Sequence, residues 1–111
     1  MVNSIALDAV FGALADPTRR RIVERLSRRP LTVGEIASEF EISQPAISKH
    51  VRILEESGLL QREVVGRVHY CSISPQAMDS VSKWIDKQRV FWNAALDRLD
   101  AVLATQTKKR K

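Results

Sequence analysis

The sequence predicts a mainly α-helical domain in which four helices are followed by a β-hairpin and one long C-terminal helix. Three observations predict it. Apolar residues recur at three- and four-residue steps along most of the chain, which is the period of an amphipathic helix. Capping residues and prolines cut that periodicity into separate segments. The two β-rich runs, LLQREVV and VHYCSI, are neighbours joined around Gly66 and Arg67, the pattern of a hairpin. At 111 residues the chain fits one compact domain, and 44% hydrophobic with 28% charged residues is the balance of a soluble globular fold.

The elements follow in order. Ile5, Leu7, Val10, Phe11 and Leu14 make an apolar-rich first helix. Asp16 before Pro17 is an N-cap followed by a proline where the helix needs no N–H, and Ile22, Val23 and Leu26 form the stripe of a second helix that Pro30 is expected to end. Thr32 and Glu35 have capping-box spacing, with Ile36, Ala37 and Phe40 as the buried face of a short third helix. A tight connection at Glu41 and Ile42 leads to Ser43, which caps a fourth helix over 43–57, and Gly58 stops it. The hairpin spans 60–73. Ser74 and Pro75 then open a helix of about 30 residues, roughly 45 Å long at the standard rise. A short helix, a brief turn, a second capped helix and then a hairpin is the layout of a winged helix-turn-helix.

Wrapped at helical pitch, the fourth helix gathers Ala46, Ile47, His50, Val51, Ile53 and Leu54 on one arc. The other arc carries Pro45, Ser48, Lys49 and Arg52 before its acidic residues, Glu55 and Glu56, at the far end. Gln can bond an adenine edge, Arg or Lys a guanine, and Ser a base or a phosphate, while a capped helix N-terminus attracts phosphate. Ser43, Gln44, Pro45, Ser48, Lys49 and Arg52 are therefore the candidate DNA-facing set. Arg67 at the hairpin tip joins them as a flexible cation, with Arg62 a weaker candidate, although a charged turn residue also serves simply to blunt a hairpin. His50 reads as a core-edge residue. Arg19, Arg20 and Arg21 read as helix support, with Arg20 the expected ion-pair partner.

The formal charge of +5 favours a polyanionic partner, but Lys108 to Lys111 supply four of those charges in a tail, 105–111, expected to be disordered beyond a domain over 1–104. The single cysteine, Cys71, excludes an internal disulfide and suits a reducing cytoplasm; it reads as strand packing, with a thiol sensor as the alternative. No basic region precedes an apolar run at the N-terminus, and no run approaches the roughly 18 apolar residues of a membrane span, so neither a signal peptide nor a membrane partner is expected. Catalysis is not expected: His50 and His69 lack a nucleophile and carboxylate in register, and neither a Gly-rich phosphate loop nor metal-ligand spacing is present.

The stretches LADPTRRRIVERL, LTVGEIASEFEISQPAISKHVRILEESGLL and VGRVHYCSI resemble the ArsR/SmtB family of bacterial repressors, over about residues 5–104. The resemblance implies that the helix from Ser43 enters the major groove of double-stranded DNA, that the hairpin is the wing, and that the first and last helices form a homodimer interface. Ile5, Val10, Phe11, Ile85, Trp92, Ala95, Leu96, Leu99 and Val102 are the candidate interface residues. They belong to apolar stripes that need a partner, a symmetry mate or, alternatively, the same domain. Many members of the family sense metals through a Cys-x-Cys pair on the helix before the reading helix, or through Asp and His on the last helix. The matching stretch here, Leu31 to Glu35, has no thiol, and the last helix has Asp79, Asp86, Asp97 and Asp100 but no histidine. No metal and no cofactor are expected, and Phe91-Trp92 with Leu96-Asp97-Arg98-Leu99 resembles a metal-free branch whose effector the residues do not name. A winged helix used as a protein-interaction module is the competing reading; it would not need Lys49, Arg52 and Arg67.

Overall fold

The computed structural model describes the backbone of residues 2–109 and the side chains of residues 7–106. The elements are α1 (Val2–Leu14), α2 (Pro17–Leu26), β1 (Leu31–Thr32), α3 (Val33–Phe40), α4 (Gln44–Glu56), β2 (Leu60–Val65), β3 (Val68–Ile73) and α5 (Pro75–Lys109). They fall into two compact units, one running to Val81 and one from Ser82 onward within α5.

Local chemistry sets the boundaries. Asp16 caps α2 by accepting from the Arg19 N–H at 3.0 Å, with Pro17 in the first turn. Thr32 and Glu35 close a full capping box on α3: the Glu35 N–H donates to Thr32 Oγ1 at 3.1 Å and the Thr32 N–H to Glu35 Oε1 at 2.9 Å, satisfying two donors that a helix start would leave orphaned. Ser43 caps α4 by accepting from the Ala46 N–H at 3.3 Å. Between α3 and α4 the chain reverses at Glu41, whose φ of 54° lies in the left-handed region, while the Ile42 N–H donates back to the Ala37 carbonyl at 3.3 Å. Gly58, with φ 89°, ends the turn after α4.

The core of the first unit is built by the apolar faces that the periodicity marks. Ile22, Leu31, Ile36, Ile47, Val51, Leu54, Leu59 and Cys71 are fully buried, and Val10, Ala13, Val23, Leu26, Ala37, Leu60 and Val81 nearly so. Three of these, Ile47, Val51 and Leu54, lie on α4, and burial contributes about 1.5–3 kcal/mol for each such side chain. That fixes which face of α4 is turned outward.

The hairpin is the middle and edge of a three-stranded antiparallel sheet ordered β1-β3-β2. Leu31 pairs with Cys71, and β2 runs against β3 from Leu60↔Ile73 to Val65↔Val68. The two-residue loop has positive φ at Gly66 and not at Arg67, the pattern of a type II′ turn with glycine first.

Four details differ from the sequence reading. The helix α2 ends at Leu26 rather than at Pro30, because Ser27 takes the C-cap and its hydroxyl donates to the Val23 carbonyl at 2.8 Å. The two-residue strand β1 is not visible as a periodic run and exists through its pairing to β3. Arg20 donates to the Leu14 carbonyl at 2.7 Å instead of to a carboxylate, and Arg19 donates to the Ala13 carbonyl at 2.6 Å, so both guanidinium groups satisfy the C-terminal carbonyls of α1. The expected tail boundary at 105 falls inside α5, whose helical backbone continues to Lys109.

Candidate nucleic-acid interface

The outer face of α4 is exposed along Gln44, Pro45, Lys49 and Arg52, with Ser48 half-buried between them. Neither Lys49, Arg52 nor Arg67 is held in an ion pair among the described residues. Beside this face lies a groove of about 410 Å³ lined by Thr32, Val33, Gly34, Gln44, Ser48, Arg62, Arg67, Val68 and His69. The start of α3, the start of α4 and the wing therefore converge on one concave surface. Of the sequence-predicted residues, Gln44, Ser48, Arg62 and Arg67 meet there, whereas Ser43, Pro45, Lys49 and Arg52 follow the ridge of α4.

The electrostatics of the groove are not uniform. Arg62 donates to Glu55 Oε1 at 3.1 Å, so the wing is tied to the far end of α4 and that charge is already matched. Arg67 carries its charge at the loop. The α3 start is fixed by its capping box, and the Thr32 backbone N–H holds the Glu35 carboxyl below its ordinary range. On the opposite side of α4, His50 is half-buried, with Nδ1 3.4 Å from Arg19 Nη1 and 3.9 Å from Asp16 Oδ2. This places His50 in the junction of α2 and α4, away from the groove.

A family model described as a helix-turn-helix domain matches residues 14–63, which span α2 to the start of the wing. The chain is 37% identical to the HTH-type transcriptional regulator Rv2034 of Mycobacterium tuberculosis over 80% of both chains. It is 34% identical to the transcriptional repressor SdpR of Bacillus subtilis, over 71% of this chain and 88% of that one. Among solved structures it is similar to an ArsR family transcriptional regulator, RHA00566, with 40% identity, a TM-score of 0.72, and coverage of 81% of this chain and 93% of that one. The chain belongs to the ArsR family of transcriptional regulators. Membership sets this ArsR-family protein among regulators of transcription and not among enzymes.

The remaining site residues divide sharply. Val10, expected at an interface, is only 3% exposed and belongs to the protein's own core, because α1 turns it toward α2 and α4. The Ile5 side chain lies outside the described residues. Phe11 is 37% exposed. Val81 and Met78, the first members of the α5 stripe, pack into the core of the first unit. In the second unit the stripe is open, with Ile85, Leu96, Leu99 and Val102 exposed, Trp92 67% exposed and Ala95 half-buried. Among the described residues of this ArsR-family chain, no group of three or more His, Cys, Asp or Glu side chains is placed to hold a metal ion, and no helix is long and apolar enough to cross a membrane.

Three features of the groove are absent from the sequence reading: the uncharged start of α3, Val68 and His69. The last has a readable signal. Side chains alternate across a strand, so His69 stands on the same face as Cys71, whose burial fixes that face toward the helices.

Proposed function

We propose that the protein is a homodimeric repressor that binds an inverted-repeat operator in double-stranded DNA. The observation that carries this reading is the exposed face of α4, with Gln44, Lys49 and Arg52 outward and no carboxylate before Glu55, adjoining the wing groove. Gln44, Ser48, Lys49 and Arg52 reach base edges and phosphates in the major groove, the capped start of α4 at Ser43 and Pro45 lies against a phosphate, and Arg67 on the wing takes a phosphate or the minor groove. Arg62 contributes mainly by holding the wing to Glu55. Ile85, Trp92, Ala95, Leu96, Leu99 and Val102 of α5 pair with their symmetry mates, and Phe11 of α1 is assigned to the same interface. Repression follows from occupying promoter DNA, and release follows when an effector favours a dimer arrangement that no longer fits both half-sites. The donor set supports a metal-free regulator: Leu31 to Glu35 offers no thiolate and α5 no imidazole. It acts in the cytoplasm, where its operator is.

The test is binding of the purified protein to the DNA upstream of its own gene, compared with unrelated DNA of equal length at several salt concentrations. Preference of at least several hundredfold, with two protomers per site, is expected. Equal weak binding to both duplexes would overturn the autorepressor form of the proposal. No binding to either would favour a protein-interaction module.

A further inference from the structure

We propose that His69 is a further DNA contact, and that its protonation is coupled to operator binding. The inference rests on the reading of the α4 and wing surface as the DNA interface. It starts from strand geometry. On the helix-facing side of the sheet, Cys71 is fully buried opposite Arg62, and two residues nearer the wing tip His69 stands opposite Val64. The strand thus passes from core to solvent between Cys71 and His69, and the imidazole emerges into the groove shared with Gln44, Ser48, Arg62 and Arg67.

The charged groups around it define what protonation does. From β2 comes Arg62, already matched by Glu55 of α4, and from the loop comes Arg67. From α3 the groove receives Thr32, Val33 and Gly34, none of them ionisable, while Glu35 in the same turn is engaged by Thr32 and lies 3.9 Å from Arg29. From α4 it receives Gln44 and Ser48. Among the described residues no carboxylate lines the groove, so His69 is surrounded in the free protein by cations and neutral groups alone. A DNA phosphate brought into the same groove supplies the missing anion, and an anion within a few ångströms stabilises imidazolium. A proton then passes from solvent to the ring nitrogen, and the resulting cation pairs with phosphate. An unperturbed imidazole titrates near neutrality, so the coupling operates in an accessible range.

The magnitude follows from linkage. An anion that favours imidazolium makes binding at about pH 6 several-fold tighter per protomer than at about pH 8. The experiment measures the affinity of the dimer for a duplex from the region upstream of its gene, and for an unrelated duplex, across that range at constant ionic strength. Wild type, His69→Gln, His69→Lys and His50→Gln are compared. The expected result is a pH slope in wild type and His50→Gln, a flat profile in His69→Gln, and a flat profile in His69→Lys with affinity near the acid value throughout. The lysine variant separates charge from structure, since a purely structural role would not be rescued by a permanent cation. Binding by His69→Gln with an unchanged pH slope overturns the inference while leaving the DNA interface standing. A slope lost only in His50→Gln assigns the proton to the α2–α4 junction and also overturns it. Failure of wild type to bind either duplex removes the interface reading itself, and this inference with it.

Discussion

Asp16, Glu35 and Glu39 are carboxylates whose partners exist only in the folded chain. The Arg19 backbone N–H holds Asp16 below its ordinary range, the Thr32 N–H does the same for Glu35, and the Arg25 side chain does so for Glu39. Folded pKa values lower than the unfolded ones mean that the stabilisation is complete above the unfolded values of 3.8 and 4.5 and is lost as pH falls through the folded ones. Urea unfolding is therefore expected to show a plateau above about pH 5 and a progressive loss of stability below about pH 4. At neutral pH, Thr32→Ala should cost about 1 kcal/mol, read from the same denaturation curves, since it removes the acceptor of the α3 cap. Cys71 gives a different readout. It is fully buried, and burial pushes its thiol up, so it should react with a thiol reagent no faster than the protein opens. Caps of this kind are legible because both partners lie three residues apart. The roles of Arg19 and Arg20 were only half legible, because their acceptors are backbone carbonyls of the preceding helix, and no sequence pattern marks a carbonyl.

At the scale of elements, periodicity and caps made the five helices and the hairpin readable, and tertiary pairing made β1. The strand β1 is two residues long and depends on β3, so it has no period of its own. Val10 shares the helical spacing of an interface residue, but α1 packs it inward, and a stripe alone does not say which of two partners it meets. Along α5, Val81 belongs to the core of the first unit, whereas in the second unit Trp92 and Leu99 are 67% and 52% exposed. Leu99→Glu is accordingly expected to give a monomer in analytical ultracentrifugation while far-UV circular dichroism and the folding of the first unit persist. A variant that remains dimeric would show that this stripe is not the interface. The turn of the helix-turn-helix carries its own test. Glu41 sits in the left-handed region, which costs an L-residue roughly 1–2 kcal/mol, so Glu41→Gly should raise the midpoint of thermal unfolding, offset in part by the greater entropy of the unfolded glycine chain.

For the whole molecule, the distribution of free and matched cations sets how binding responds to salt. The formal charge of +5 says little, because position decides which cations meet phosphate. Among the described residues, Lys49, Arg52 and Arg67 lie on the proposed DNA face without a carboxylate partner, whereas Arg62 is held by Glu55 at 3.1 Å. Three such contacts on each of two protomers correspond to about six phosphates, and counterion release then gives a slope of about −5 for log K against log salt. Affinity should fall on the order of a thousandfold between about 50 and about 200 mM salt, measured at about pH 8 where an ordinary imidazole is neutral. Arg67→Ala removes two contacts per dimer and should flatten the slope to about −4, weakening binding to operator and unrelated duplexes alike. Arg62→Ala should flatten it less, because a guanidinium already neutralised by Glu55 displaces fewer counterions from the DNA. An equal change in the two variants would mean that the Glu55 pair opens on DNA, and Arg62 would then belong with Arg67 as a direct phosphate contact rather than as the tie between wing and helix.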